Sequence, residues 1–266
     1  MEGRATMSSS TYPLSRERNV ILILLLALAV AAWVFLFWQA RSIDMTMAGL
    51  TMGMGPLVFL ASWVVMMIAM MFPTAAPMIL TFNRVYTTRR ERGQAFVPTW
   101  VFVAGYLVVW TAFGVVGYVA AVVVQSIAAA NLTIAEIGPR VGGVLIVLAG
   151  VYQLTPLKRT CLTACRTPLD FIMRSWRDGY GGAFRMGLEH GSYCLGCCWL
   201  LFVILFPLGM MNVGAMALIT LLIFAEKSLP IGPRVGVVAA AIMVAYGLLV
   251  VAVPETLPTV MPGMAM

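Results

Sequence analysis

The residues best suited to metal or redox chemistry are concentrated in two short segments. EHGSYCLGCCW, residues 189–199, contains the only histidine of the chain and three of its five cysteines. KRTCLTACR, residues 158–166, contains the other two cysteines. Imidazole and thiolate groups bind soft metals, and thiolates are also the groups that carry out disulfide exchange. The two segments therefore predict a soft-metal site or a thiol redox centre.

Helical spacing predicts that these side chains share faces. At 100° per residue, the four ligand-type side chains of the first segment project within an arc of about 100°. The two cysteines of the second segment are four residues apart, which places them on one face if that stretch is helical. The metal ligands predicted from the two segments are His190, Cys194, Cys197, Cys198, Cys161 and Cys165.

A methionine stripe is the second group of candidate ligands. The segment VVMMIAMMFPTAAPM has methionines at spacings of three and four residues, so that they share one side of a helix. Pro73 and Pro77 follow and favour a kink, because proline lacks a backbone N–H. The stripe is the predicted thioether part of the metal site and consists of Met66, Met67, Met70 and Met71.

The composition identifies the kind of protein that carries these residues. The 266-residue chain is 62% hydrophobic and 10% charged, whereas about 25% charged residues is usual for soluble domains. We therefore expect an all-α, polytopic transmembrane helical bundle. Apolar runs of about 20 residues can cross the hydrocarbon layer. They predict about seven spans, at residues 20–39, 57–82, 97–124, 137–155, 184–208, 211–225 and 235–253.

Basic residues predict the orientation, because Lys and Arg are retained on the cytoplasmic side. With seven spans and a cytoplasmic N-terminus, all but Arg41 and Arg140 of the 17 basic residues lie on that side. We assign the net charge of +7 to topology and expect no nucleic-acid partner. The predicted organisation is a cytoplasmic leader at 1–19, one transmembrane domain at 20–253 and a periplasmic, methionine-rich tail at 254–266.

This topology sorts sulfur by compartment. All five cysteines fall on the cytoplasmic side, where thiols stay reduced, while thioethers, which form no disulfides, fall outside. The polar stretch from about Pro156 to Ala183 is predicted to be a cytoplasmic loop. Among charged residues near the spans, we expect Lys227 to extend its ammonium to the membrane surface. The outer methionines are Met45, Met47, Met52, Met54, Met210, Met211, Met261, Met264 and Met266.

The motifs MMIAMMFPTAAPM, YQLTPLKRTCLTACRTPL and GLEHGSYCLGCCW resemble those of a bacterial family of metal-binding integral membrane proteins, sometimes labelled copper chaperones. The resemblance covers roughly residues 55–255. It implies a polytopic inner-membrane protein with a metal site. The positions that match the motifs are the methionine stripe and the six His and Cys residues named above.

The leading hypothesis is that the protein handles Cu(I), as a transporter or as a membrane metallochaperone for copper-enzyme assembly. Its expected partners are the lipid bilayer, the metal ion, and a copper chaperone or copper-enzyme subunit, and we expect no enzymatic activity. Zn(II) in a structural site and an iron–sulfur cluster are alternatives that leave the outer methionines unexplained. A membrane thiol oxidoreductase that uses Cys194 and Cys197 is the alternative from another functional class.

Overall fold

Helices form all the regular secondary structure in residues 11–42, 49–91 and 97–260, the residues that the structure, a computed structural model, describes. A single 3-10 turn, Pro254–Thr256, follows the last helix. The α-helices are α1 (Thr11–Ser42), α2 (Pro56–Glu91), α3 (Thr99–Ala130), α4 (Leu132–Tyr152), α5 (Pro156–Arg166), α6 (Pro168–Ser175), α7 (Gly179–Val203), α8 (Leu205–Leu208), α9 (Val213–Ser228) and α10 (Gly232–Ala252).

Every apolar segment predicted as a span is helical over most of its length. Five helices are long and apolar enough to cross a membrane, namely α1, α2, α3, α7 continued by α8, and α10. The bent pair α4–α5 raises the number to six if it is counted as one span. The 16 residues of α9 are short for a membrane crossing. The count of seven spans and the cytoplasmic N-terminus therefore stay predictions.

The stretch predicted to be a loop after Pro156 contains two short helices. Thr155 caps α5 by accepting a hydrogen bond from the Lys158 backbone N–H at 3.3 Å, and Pro156 occupies the first turn, where no N–H is needed. The axis bends by 64° between α4 and α5. Because of this bend, α5 folds back and packs along α7.

Small residues bring α3 and α7 into backbone contact. A Cβ on Gly105 would overlap the Phe184 carbonyl, and one on Gly187 would overlap the Phe102 carbonyl. Helix pairs in membranes associate closely where small residues face each other. This contact fixes the rotation of α7, which presents its cysteines to the interior of the bundle.

The centre of the bundle is formed largely by α2, which contacts α1, α3 and α9. It remains one helix through Pro73 and Pro77. All four methionines of the stripe are at most 2% exposed. The stripe therefore lies in the packed core, among the largest fully buried side chains of the bundle.

Candidate metal centre

The histidine and cysteines of α7 are buried together. His190 and Cys197 are each 2% exposed, Cys198 is 1% exposed and Cys194 is fully buried. Neighbouring positions on the opposite side of α7, such as Ser192, are exposed. The apolar surroundings exclude water from the sulfur atoms and strengthen electrostatic interactions there.

Cys194 differs from its two neighbours in its hydrogen bonds. The thiols of Cys197 and Cys198 donate to the Cys194 carbonyl oxygen at 3.1 and 2.8 Å, so they turn toward their own helix. The Cys194 Sγ instead accepts a hydrogen bond from Lys227 Nζ at 3.0 Å and lies 3.2 Å from the Tyr106 hydroxyl. Cys194 is therefore the sulfur in direct contact with a buried ammonium.

The second cysteine pair converges on the first. The Cys165 side chain lies within interaction range of the side chains of Cys194 and Cys197. Cys161 Sγ rests against α7, where a Cβ added to Gly196 would come within 2.7 Å of it. The absence of a side chain at Gly196 therefore lets α5 approach α7. Two segments far apart in the sequence thus form one thiol cluster, in which all five cysteines are free.

The main chain of α7 is also tied to the end of α4. The Tyr152 hydroxyl donates a hydrogen bond to the Gly196 carbonyl oxygen, and its ring contacts Trp199 edge-on at 5.9 Å. The bend after Tyr152 leads directly into α5. This anchor fixes the starting point of α5 relative to the cysteines of α7.

Aromatic rings hold the imidazole of His190. It stacks on Phe102 and Tyr106, with centroids 5.9 and 5.6 Å away, and Phe171 meets it edge-on at 5.5 Å. Its buried Nδ1 has no hydrogen-bond partner among the described residues. Buried polar atoms are normally satisfied, so an orphaned ring nitrogen one helical turn from Cys194 suits a ligand or a bound molecule.

Buried charges lie beside the cluster, and among them Lys158 was not expected from the sequence. Lys158 and Glu226 form an ion pair of 2.7 Å with both side chains 3% exposed. Lys227 is 9% exposed and points to Cys194, so the expectation that it extends to the membrane surface is wrong. A signal for Lys158 existed, because it precedes Cys165 by seven residues and so shares its helix face. No pattern in the sequence indicated that Tyr106 would contact the cluster.

The outer methionines are described only in part. Met52 and Met54 are half-buried, and Gln39 Nε2 lies 4.0 Å from Met54 Sδ. Met210 is buried and Met211 is half-buried. The remaining outer methionines, which lie outside the described residues, are Met45, Met47, Met261, Met264 and Met266.

The donor set fits a soft metal better than a hard one. Among the described residues, no three or more His, Cys, Asp or Glu side chains are arranged to hold a metal ion. Structural zinc sites use four such ligands and iron–sulfur clusters are held by four cysteines. Soft thiolate donors favour Cu(I) among the common metals, and the side chains of Cys165 and Cys194 lie within interaction range of each other.

Comparison with known proteins gives one match. No curated protein and no solved structure matches the chain significantly. The model of the PpoB2 family, described as "Copper chaperone", matches residues 60–250, a region that contains the methionine stripe, all five cysteines and His190. Because this match covers well over half of the 266 residues, the chain belongs to the PpoB2 family of copper chaperones.

Proposed function

We propose that this protein is an integral membrane metallochaperone that holds Cu(I) at the thiol cluster and passes it to a copper enzyme. The observation that carries the proposal is that the half-buried Cys165 approaches the buried Cys194 and Cys197. Soft sulfur donors favour Cu(I), and the family description names copper. The reaction is ligand exchange, so the protein needs no catalytic residue.

Individual residues take distinct roles in this proposal. Cys194 and Cys165 are the primary ligands, and Cys197 is the next sulfur to which the metal exchanges. Cys198, Cys161 and the orphaned His190 Nδ1 extend the donor set when the pocket rearranges around the metal. Ligand exchange between adjacent sulfurs lets a tightly held ion move without ever being free.

The proposed setting is the bacterial inner membrane, with the N-terminus cytoplasmic and the C-terminus periplasmic. It is supported by the apolar helices and by the basic residues that flank the thiol cluster, such as Lys158, Arg159 and Arg166. The proposed partners are the bilayer, Cu(I), and a copper-enzyme subunit or a copper chaperone that exchanges metal with the thiols.

Transport of Cu(I) across the bilayer is a second candidate, favoured by the buried methionine stripe of α2. Thioethers bind Cu(I) more weakly than thiolates do, so a path from outer methionines through the stripe to the cysteines would run downhill. No nucleotide-binding motif of the type GxxxxGK[ST] occurs in the sequence. Inward movement along such a gradient needs none.

Anaerobic loading and transfer test the chaperone proposal. Purified protein is incubated with Cu(I) and a chelator of known affinity, desalted, and mixed with an apo copper-binding domain. We expect about one retained Cu(I) per chain and direct transfer at a rate that the free chelator does not change. Retention of Zn(II) or iron instead of Cu(I), or cycling of Cys194 and Cys197 between thiol and disulfide without metal, would contradict the proposal.

A vesicle assay separates transport from chaperoning. Protein reconstituted in sealed vesicles that contain a Cu(I) chelator is supplied with Cu(I) outside. Chaperone action alone predicts binding without accumulation inside. Accumulation that disappears when the methionine stripe is replaced by leucine would establish the transport candidate instead.

A further inference from the structure

One of the two buried lysines beside the thiol cluster faces a sulfur atom instead of a carboxylate. Lys158 and Glu226 neutralise each other across 2.7 Å. In the part of the chain that the structure describes, none of the ion pairs includes Lys227. Its Nζ is instead directed at Cys194 Sγ, 3.0 Å away. The positive charge of Lys227 is therefore placed against a sulfur atom, without a carboxylate partner among the described residues.

An uncompensated charge in an apolar interior is costly. The Tyr106 hydroxyl and protonated thiols reduce this cost only in part, whereas a thiolate at Cys194 neutralises the ammonium. When two thiolates bind the metal, Lys227 makes the site favour an ion that, together with those two sulfurs, carries a net charge of −1.

Only one class of soft metal meets this condition with two sulfur ligands. A monovalent ion bound by two thiolates forms a unit of charge −1, which Lys227 neutralises. A divalent ion bound by the same two thiolates forms a neutral unit, and the charge of Lys227 stays uncompensated. The described residues do not arrange three donors of the His, Cys, Asp or Glu type around a metal position, so a third ligand for a divalent ion requires rearrangement of the pocket.

We propose that Lys227 is the specificity-determining residue that makes this pocket select monovalent soft cations, Cu(I) and Ag(I), over divalent Zn(II) and Cd(II). The proposal rests on Cu(I) binding at the thiol cluster. Lys227 acts without ligating the metal, through the field of its ammonium group at close range in a medium of low dielectric constant. The neighbouring pair Lys158–Glu226 supports this selection, because Glu226 is already neutralised and is therefore not available to Lys227.

A positive charge at the protein surface would not have this effect on metal selectivity. Lys227 lies in the last turn of α9 and reaches α7 in the interior of the bundle, where solvent screening is weak. Surface charges such as Arg159, which is exposed, are screened by water and salt. This contrast provides a matched control, because the charge of Arg159 should contribute little to metal selectivity.

The test compares metal selectivity in the full-length protein in detergent. The dissociation constants of Ag(I), Cu(I), Cd(II) and Zn(II) are measured anaerobically by competition with chelators for wild type, Lys227→Met, Lys227→Arg and Arg159→Met. We expect Lys227→Met to lower the preference for monovalent over divalent ions by at least about tenfold. We expect Lys227→Arg and Arg159→Met to keep the preference within about threefold of wild type.

The outcomes distinguish this inference from the proposed function. If wild-type protein binds no Cu(I), the proposed function fails. If it binds Cu(I) but Lys227→Met weakens monovalent and divalent ions by the same factor, Lys227 only packs α9 against α7 and the selectivity inference is wrong. Lys227→Gln, which keeps a hydrogen-bond donor without the charge, guards against a folding defect in Lys227→Met. An unchanged preference in Lys227→Gln would also overturn the inference.

Discussion

The thiol cluster and the methionine stripe are both buried rows of sulfur, yet their surroundings differ. Cys194 contacts an ammonium, a phenol and other thiols, and a buried ion pair lies next to it. Around the stripe, hydrogen bonds are mainly to backbone carbonyl oxygens. The Thr74 hydroxyl donates to the Met71 carbonyl and Trp33 Nε1 donates to the Ala69 carbonyl, both at 3.0 Å. Buried polar groups are expensive and packing alone does not require them. The buried polar groups around the cluster therefore indicate a chemical function for its cysteines more strongly than for the methionines of the stripe.

Among changes near the thiol cluster, breaking the Lys158–Glu226 ion pair should have the largest effect, and it should lower the stability of the protein. Glu226→Gln leaves the Lys158 ammonium buried without a counter-charge, and we expect a loss of about 3–5 kcal/mol of unfolding free energy. Replacing both residues, as in Lys158→Met with Glu226→Met, should cost less than either single change. Reversible unfolding in mixed micelles measures these differences. A loss in the double variant equal to the sum of the Lys158→Met and Glu226→Gln losses would show that the pair is not coupled.

Removal of the Cys194 sulfur should have the next largest effect, on metal binding. We expect Cys194→Ser to lower Cu(I) affinity by at least about 100-fold, because it removes the sulfur that contacts both Lys227 and Cys165. Cys198→Ser is the matched control on the same helix, since its thiol donates to the main chain. It should change the affinity by less than about fivefold. Equal losses in the two variants would mean that the hydrogen-bond pattern does not indicate which cysteine contributes more to Cu(I) affinity.

A methyl group at Gly196 tests whether the close contact between α5 and α7 positions a metal ligand. In Gly196→Ala the new Cβ would meet Cys161 Sγ, so either the Cys161 thiol rotates or α5 shifts away from α7 and carries Cys165 with it. We expect about a tenfold loss of Cu(I) affinity. Gly181→Ala in the first turn of the same helix, where a Cβ meets nothing within 4 Å, is the control. A normal affinity in Gly196→Ala would show that the approach of α5 does not position a ligand.

Replacement of the stripe should have the smallest effect on the thiol cluster. Methionine and leucine are similar in volume, so each change should cost less than about 1.5 kcal/mol of stability. We expect the variant with leucine at all four stripe positions to keep its Cu(I) affinity within about twofold. Met186→Leu, another fully buried methionine, is a control for packing. A large loss of affinity would place the stripe within the same site as the cysteines.

Local periodicity and composition were sufficient to predict the long apolar helices and the grouping of residues along them, but not the short helices α5 and α6. The apolar runs mark the long helices, and the spacing of His190 and the α7 cysteines marks positions that are all buried. The approach of α5 to α7 could not be predicted, because it depends on a 64° bend and on the missing side chain of Gly196. The contact of Lys227 with Cys194 spans 33 residues of sequence and leaves no local pattern.

The Cu K-edge X-ray absorption of anaerobically loaded protein tests the central claim most directly. We predict a Cu(I) edge with a first shell of two sulfur atoms in the wild-type protein. Loss of stoichiometric copper is predicted when Cys165 and Cys194 are both replaced by serine, and an unchanged spectrum when Met66, Met67, Met70 and Met71 are replaced by leucine. A first shell dominated by nitrogen or oxygen, or an intact sulfur shell in the double serine variant, would contradict the claim that these two cysteines hold Cu(I).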